Sequence, residues 1–346
     1  MESNFQKIAK TSLVLVYLVI IAGAIVRMTG SGMGCPDWPK CFGYYIPPTN
    51  VETLEWKPQR EFKKGQVIIV DKTLQVAKAD FITSELFNYN NWDTYVKHDY
   101  ARFNVWHTWI EYINRLFGAL AGLATLILAV YSLKFWKKKK IITIVSWLVV
   151  FGMGFQAWLG ATVVYSVLEP VKITVHMVMA LFIVALILYL LFTASEQNKL
   201  HKHQNSITLL LIASLGLTLI QIILGTQVRQ FVDEQIDLVG ENAKELWLLK
   251  PSVQFYIHRS FSILVVLLNV YLLYLIKKND LGFKKINWVI GLLLLEVLTG
   301  ILMYYIDFPF GSQPLHLVFA SILFGVQFYL VLEALKASKS RKTLYL

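Results

Sequence analysis

The sequence is poor in charged residues. Only 16% of its 346 residues are charged, 56% are hydrophobic, and the mean hydropathy is +0.54. This composition excludes an ordinary soluble globular domain, in which about 25% of residues are charged. Cysteine is scarce too, since the chain has 2 cysteines and both lie within its first 41 residues. The sequence indicates a protein that folds in lipid.

Eight apolar segments reach or approach the roughly 20 residues that a helix needs to cross a hydrocarbon core about 30 Å thick. They lie near residues 11–29, 108–133, 141–165, 172–194, 206–229, 254–276, 286–306 and 314–335. The sequence therefore predicts an all-α polytopic membrane protein with eight transmembrane helices. The first helix is expected to be retained, because no small-residue cleavage site follows it.

Lysine and arginine are distributed unevenly between the two sets of short loops. The first set, near residues 166–172 and 307–313, contains Lys172 as its only lysine or arginine. The other set carries Lys7, Lys10, Lys134, Lys137, Lys138, Lys139, Lys140, Lys199, Lys202, Lys277, Lys278, Lys284, Lys285 and a basic tail. Because cytoplasmic loops are enriched in such residues, both termini are predicted to be cytoplasmic in a bacterial-type inner membrane, with residues 31–104 outside. The net charge of +11 then reflects topology, and no nucleic-acid partner is expected.

Two blocks of four predicted helices repeat similar residues in the same order. The matched segments are 23–27 with 225–229, 111–115 with 255–259, and the pairs Gly160–His176 and Gly300–His316, each 16 residues apart. Such a parallel repeat predicts a pseudo-twofold axis along the membrane normal. Residues 1–200 would form one four-helix half and residues 201–346 the other.

Three histidines lie within the apolar segments, where an ionisable group costs about 2.5–3.5 kcal/mol and usually serves a function. They are His176, His258 and His316. A single histidine of this kind is often bonded to a helix carbonyl. However, His258 and His316 begin two helices of one half, and two imidazoles from facing helices are the ligands of six-coordinate haem iron. Zinc is a poorer candidate, because its sites use three or four protein ligands and this half has no cysteine.

The remaining loop histidines, predicted to be solvated, are His98, His201 and His203.

A polar stripe runs along the second predicted helix. Its members His107, Glu111, Asn114 and Gly118 are spaced by four, three and four residues and so share one face. Glu111 is a candidate proton donor, base or cation stabiliser beside a haem, or alternatively a structural carboxylate bonded to another helix. Phe255 stands at its repeat position, so a carboxylate is expected in only one half.

Arg115 and Arg259 each follow a candidate ligand position by one residue. An arginine there is suited to pairing with a haem propionate, and a plain interface anchor is the alternative. Their matched positions favour the propionate interpretation.

Cys35 and Cys41 lie just after the first predicted helix, in the segment placed outside. A disulfide is expected in that oxidising compartment. It would form a structural staple over the pocket of the first half, or alternatively exchange electrons.

These residues together resemble the haem A synthase family. The resemblance rests on Arg27–Cys41, Glu111–Arg115, Gly225–Arg229, His258–Ser260, His176 and His316, and it covers all eight predicted helices. It implies that the second half holds a b-type haem through His258 and His316, and that the first half binds haem O as substrate. The implied reaction oxidises the C8 methyl group of haem O to the formyl group of haem A, which terminal oxidases use. Haem O synthase and oxidase assembly factors are implied as partners, a homo-oligomer stays open, and the electron-transfer partner is not assigned.

One position departs from the family pattern. Asn114 stands where the family commonly has histidine, and asparagine is a poor iron ligand. Two alternatives follow for the iron of the substrate haem: either His176 binds it alone, or His107 replaces the missing histidine. A dihaem electron-transfer or quinol-oxidising protein and a haem transport or assembly factor are the competing functions. Glu111 and the cysteine segment favour the enzyme, because an electron-transfer protein needs two haems and has no need of a carboxylate that is confined to one half.

Overall fold

The computed structural model describes residues 2–195, Lys202 and residues 204–344, with side chains as far as residue 338. His201 and His203 lie outside the described residues, so their predicted solvation stays a prediction.

Eight long helices form the body of the described chain. They are α1 Glu2–Met28, α2 Val105–Ser132, α3 Lys140–Tyr165, α4 Pro170–Thr193, α5 Asn205–Val239, α6 Val253–Lys278, α7 Ile286–Tyr305 and α8 Ser312–Leu344. All eight are long and apolar enough to cross a membrane. The prediction of an all-α polytopic membrane protein is confirmed.

Local sequence accounts for several helix starts. Asn104 caps α2, because its side-chain oxygen accepts hydrogen bonds from the backbone N–H groups of Trp106 and His107. Pro170 occupies the first turn of α4, where its missing N–H group is no loss. By contrast, α5 continues past the predicted limit at residue 229 to Val239. This last part contains several charged and polar residues, so the apolar pattern did not include it.

The helices pack as two bundles with the same order of neighbours. In the first bundle α1 contacts α2 and α4, and α3 contacts the same two helices. In the second bundle α5 and α7 each contact α6 and α8. The bundles meet where α8 contacts α1 and α4 and where α4 contacts α5. The pseudo-twofold axis and the division at residue 200 stay predictions.

Apolar side chains lie on both sides of these helices. The bundle interiors contain fully buried residues such as Phe5, Leu128 and Leu272. The outward faces carry large exposed ones, for example Phe151 at 70% and Trp288 at 71% exposure. A helix in water would present polar residues on that face, so the outward surface is suited to lipid.

Residues 31–104 form a small β-structured segment at one end of the first bundle. Strands β2 Val67–Val70, β3 Thr73–Ala77 and β5 Trp92–Thr94 make an antiparallel sheet, and β1 Glu61–Phe62 pairs with β4 Phe81–Ile82. Asp71 and Lys72, both with positive φ, form the two-residue turn between β2 and β3. Cys35, Cys41 and Phe42 pack into the core of this segment with Val67 and Leu74. The sequence interpretation assigned no role to residues 45–100, which build the sheet that supports the cysteine loop.

Candidate functional site

The two histidines of the second bundle lie next to each other. His258 on α6 and His316 on α8 have ring centroids 6.4 Å apart, with the ring planes at 71°. An imidazole nitrogen binds a metal at about 2 Å, so an iron between two such rings separates their centroids by roughly 6 Å. The structure therefore brings together the predicted pair at a spacing suited to bis-histidine ligation.

A glycine on the neighbouring helix faces each of four matched positions. A Cβ atom built on the glycine would lie 3.2–3.9 Å from the facing side chain in the pairs Gly225–His258, Gly300–His316, Gly160–His176 and Gly23–Asn114. Small residues at these places let a ring, or a planar group beside it, fit closely between the helices. Asn114 thus occupies the place in the first bundle that His258 occupies in the second.

His316 has two polar neighbours on α7. Its Nδ1 lies 2.8 Å from the hydroxyl of Thr299 and 3.3 Å from Oε2 of Glu296. Glu296 corrects the expectation that only one half contains a carboxylate within a span, because its side chain is 14% exposed and lies inside α7. Glu296 could have been identified from the sequence, because it is an ionisable residue in the predicted span 286–306 and such residues usually have a function.

The other two span histidines have fewer ring contacts. Among the described residues, Nδ1 of His176 and Nδ1 of His258 are buried without a hydrogen-bond partner. The amide of Gln156 donates to the backbone oxygen of His176 at 2.9 Å, and Gln221 does the same for His258 at 3.0 Å. Gln221 also lies 3.4 Å from Nε2 of His258. Buried ring nitrogens of this kind fit a metal-bound group, because an unpaired polar atom in an apolar bundle is otherwise costly.

The cysteine loop lies on the N-terminal part of α2. The predicted disulfide between Cys35 and Cys41 is confirmed, with the two Cα atoms 4.8 Å apart. Thr108 donates its hydroxyl to the backbone oxygen of Gly34 at 2.8 Å. A Cβ atom on Gly34 would lie 2.4 Å from the backbone of His107, so only glycine permits this close approach.

Glu111 and Arg115 connect α2 to this loop. One Glu111 oxygen accepts a hydrogen bond from the backbone N–H of Cys35 at 2.7 Å, and the other lies 2.6 Å from Nη2 of Arg115. Arg115 also donates to the backbone oxygens of Asp37, Lys40 and Cys35 at 2.6, 2.8 and 3.0 Å. Glu111 is 4% exposed, so this ion pair is buried beneath the loop.

The loop also has internal contacts. The Asp37 carboxylate accepts hydrogen bonds from the backbone N–H groups of Phe42 at 2.5 Å and Gly43 at 2.8 Å. Burial raises the pKa of Asp37, and these bonds together with the charge of Arg115 oppose the rise.

His98 was predicted to be solvated, but it is half-buried, with Nε2 2.9 Å from the backbone oxygen of Pro36. It is drawn inward because the loop folds over the sheet.

The remaining predicted residues are distributed around the two bundles. His107 lies in the first turn of α2, and Asn114 is one turn beyond Glu111 with a buried Oδ1 that has no partner among the described residues. Arg259 is exposed at the start of α6, with its guanidinium 5.8 Å from the ring centroid of Tyr304. Arg115 is hydrogen-bonded to the loop, whereas Arg259 makes no ion pair within the described part of the chain.

An ion cluster that the sequence interpretation missed joins α1 to α5. Asp233 lies 2.8 Å from Arg27 and 2.8 Å from Arg229, and Arg229 also donates to the backbone oxygen of Arg27 at 3.0 Å. Asp233 lies beyond the predicted end of its span, which is why the apolar pattern did not identify it. The two arginines end the matched segments 23–27 and 225–229, so the cluster connects corresponding positions.

The fold and the site define a class: a multi-pass helical membrane protein with histidines that face one another between its helices. The sequence model of the COX15-CtaA family, described as cytochrome oxidase assembly protein, matches residues 6–86 and 85–328, and this chain belongs to that family.

Curated relatives resemble the chain over most of its length. A haem A synthase of Flavobacterium psychrophilum is 27% identical over 349 residues, which cover 91% of this chain and 93% of the relative. A haem A synthase of Rickettsia bellii is 25% identical, with coverages of 94% and 97%. That of Pelagibacter ubique is 24% identical, with coverages of 96% and 97%. The resemblance predicted from the motifs is confirmed.

Proposed function

We propose that this chain is a haem A synthase, which oxidises the C8 methyl group of haem O to the formyl group of haem A. Its family and its relatives support this assignment. The observation that carries it is the unequal content of two similar bundles. The second contains a histidine pair 6.4 Å apart with Glu296 beside it, whereas the first contains His176 and Glu111, which is buried under a disulfide loop.

The second bundle is proposed to hold a resident b-type haem. His258 and His316 would be its axial ligands, and the buried Nδ1 of His258, which has no partner among the described residues, fits a bound group there. Arg259 is available for a propionate, because it forms no ion pair within the described residues. The bound haem would supply one-electron transfer, the chemistry that bis-histidine haems commonly perform.

The first bundle is proposed to hold haem O as the substrate. His176 faces Gly160, and its Nδ1 has no hydrogen-bond partner in the described part of the chain, so it is the candidate axial ligand. Asn114 contributes an amide at the position that matches His258 and does not replace an imidazole as an iron ligand. Ligation by His176 alone is the simpler arrangement, because His107 lies seven residues before Asn114, about 10.5 Å along the helix axis.

Glu111 is the proposed proton acceptor or cation stabiliser for oxidation of the methyl group. This oxidation replaces two C–H bonds of the methyl carbon with a C=O bond, so its electrons must pass to an external electron acceptor and the released protons to a base. Glu111 is one helical turn from Asn114 and contacts Arg115 and the Cys35 N–H, which hold its carboxylate in one orientation. Its buried position between the pocket and the loop suits proton transfer toward the loop side.

The proposed orientation has both termini in the cytoplasm and the cysteine loop outside, in a bacterial-type inner membrane. Haem O synthase and the oxidase assembly machinery are the proposed supplier and recipient. Reporters fused after residues 138 and 280 should report the cytoplasm, and one inserted near residue 70 should report the outside. An external signal at residue 138 would contradict this orientation.

Pigment extraction tests the reaction directly. Cells that express the chain together with a source of haem O should form haem A, and cells with an empty vector should retain haem O. A dihaem relay or a haem carrier would bind pigment and leave haem O unchanged. Unchanged haem O beside folded, haem-loaded protein would therefore refute the proposed reaction.

A further inference from the structure

We propose that Thr299 and Glu296 of α7 are positioning residues for His316: the Thr299 hydroxyl contacts Nδ1 of its ring, and Oε2 of Glu296 lies beside the same nitrogen, so that together they direct Nε2 toward the iron. This inference rests on the proposed resident haem in the second bundle. Neither residue was identified from the sequence, and both would act on the iron only through His316.

The hydroxyl of Thr299 contacts Nδ1 of His316 and two backbone oxygens of its own helix. A hydroxyl has one hydrogen to donate, and Oγ1 of Thr299 lies 2.9 Å from the backbone oxygen of Leu295 and 3.0 Å from that of Glu296. A hydrogen bond from the hydroxyl to one of these carbonyl oxygens leaves Oγ1 able to accept from Nδ1 of His316, 2.8 Å away. A neutral imidazole that binds iron through Nε2 carries its hydrogen on Nδ1, so in the proposed haem-bound state Thr299 is placed to accept it.

The Glu296 carboxyl group lies beside the same nitrogen. Its Oε2 lies 3.3 Å from Nδ1 of His316, within one helical turn of Thr299. A carboxylate that accepts the distal N–H of a ligating histidine fixes the ring orientation and makes the imidazole a stronger electron donor. A stronger donor favours the oxidised iron, so the pair should lower the reduction potential of the resident haem.

The first bundle provides an internal comparison for Glu296. Gln156 precedes Gly160 by four residues, as Glu296 precedes Gly300. Gln156 bonds to the backbone oxygen of His176 and leaves the ring nitrogen without a partner among the described residues. Of the three span histidines, His316 is the one whose Nδ1 contacts a hydroxyl group in the described part of the chain, so this support belongs to one ligand of one bundle.

The test uses purified full-length protein loaded with haem b. Glu296→Gln gives the second bundle the amide found at the matched position of the first, and Thr299→Val removes only the hydroxyl. Each should weaken haem retention, measured as transfer to excess apomyoglobin, by about 10- to 100-fold. Each should also raise the reduction potential in a spectroelectrochemical titration. Thr299→Ser retains the acceptor and should behave like the parent protein.

Thr218→Val is the matched control. Thr218 is a buried threonine of the same bundle, on α5, and its hydroxyl has no hydrogen-bond partner among the described residues. This variant should keep the parent potential and haem retention, which separates loss of a buried hydroxyl from loss of the contact with His316.

The outcomes distinguish this inference from the proposed haem site. Parent-like potential and retention in both Glu296→Gln and Thr299→Val, with haem lost from His316→Ala, would overturn the positioning role alone. An unchanged haem spectrum in His316→Ala would refute the haem site itself. If Glu296→Gln does not fold, the nearly isosteric Thr299→Val is still informative, because it removes the hydroxyl that contacts His316. A parent-like potential and parent-like haem retention in Thr299→Val would then refute the positioning role.

Discussion

The two bundles use similar scaffolds for different contacts. In the second, polar side chains surround a histidine pair, with Glu296 beside His316. In the first, the buried carboxylate is Glu111, and it contacts a disulfide loop that covers the end of the bundle. A repeated arrangement of helices and glycines can thus carry different side chains, which suits the proposal of a resident haem in one bundle and a substrate haem in the other.

A matched position does not imply a matched role. Arg115 and Arg259 occupy corresponding places one residue after a candidate ligand position. Arg115 donates to three backbone oxygens and to Glu111, whereas Arg259 is exposed near the ring of Tyr304. The propionate role proposed for Arg259 therefore does not transfer to Arg115, whose hydrogen bonds support a role in holding the loop.

The largest expected effect separates the histidines of the two bundles. His258→Ala and His316→Ala each remove a proposed iron ligand and should abolish or strongly shift the low-spin b-type spectrum. His176→Ala is the control, because it changes the first bundle and should leave that spectrum in place. The measurement is the reduced-minus-oxidised spectrum of purified protein, and a parent-like spectrum in His258→Ala would show that the ligand assignment is wrong.

The next effect concerns the carboxylate of the first bundle. Glu111→Gln removes the negative charge with little change in shape, so haem O or its alcohol should accumulate at the expense of haem A. The resident haem should stay bound, because Glu111 belongs to the other bundle. Extracted haem types and the protein spectrum would be measured together.

Thr108→Val controls for the structural role of Glu111. It removes the hydrogen bond between α2 and Gly34 and so loosens the loop while keeping the carboxylate. Haem A formation should survive in this variant. Equal loss in Thr108→Val and Glu111→Gln would indicate that Glu111 acts only through the loop, and a normal yield in Glu111→Gln would eliminate its proton-transfer role.

The apolar segments predicted the eight helices because transmembrane length is encoded locally. The ends were less accurate: α5 and α8 continue past residues 229 and 335, since a helix continues through charged residues once it leaves the hydrocarbon. The sheet within residues 31–104 was not predicted, because its short strands pair across the chain and depend on a core shared with the cysteine loop.

The candidate site was only partly predictable for a similar reason. The His258–His316 pair followed from the repeat, and the structure places the two rings together. The carboxylate of Glu111 accepts from the backbone N–H of Cys35 and from Arg115, and the direction of a backbone N–H group in a loop cannot be inferred from residue types. Glu296 was visible as an intramembrane carboxylate, but its contact with His316 required the packing of α7 on α8.

A third change makes the first bundle resemble the second. Asn114→His places an imidazole at the position that matches His258, opposite Gly23, where a Cβ atom would still be 3.9 Å from the present side chain. If His176 alone binds the substrate haem, a second imidazole should convert it to a six-coordinate, low-spin form. Spectra with added haem O would show an increased low-spin signal, and Asn114→Gln, which adds length without an imidazole, should show none. Identical spectra in the parent and Asn114→His would mean that Asn114 does not face the iron.

The smallest expected effect concerns the disulfide, which only the first bundle has. In the parent protein, alkylation without reductant should label neither Cys35 nor Cys41, and reduction should expose both. Replacing both with Ala should lower stability by about 2 kcal/mol, the chain-entropy value for so short a loop. The loop should stay in place, because Glu111 and Arg115 hold its backbone independently of the sulfur atoms. Haem A formation should then persist at permissive temperature if the bond is a staple, whereas complete loss of haem A in a folded double variant would show that the cysteines exchange electrons during the reaction.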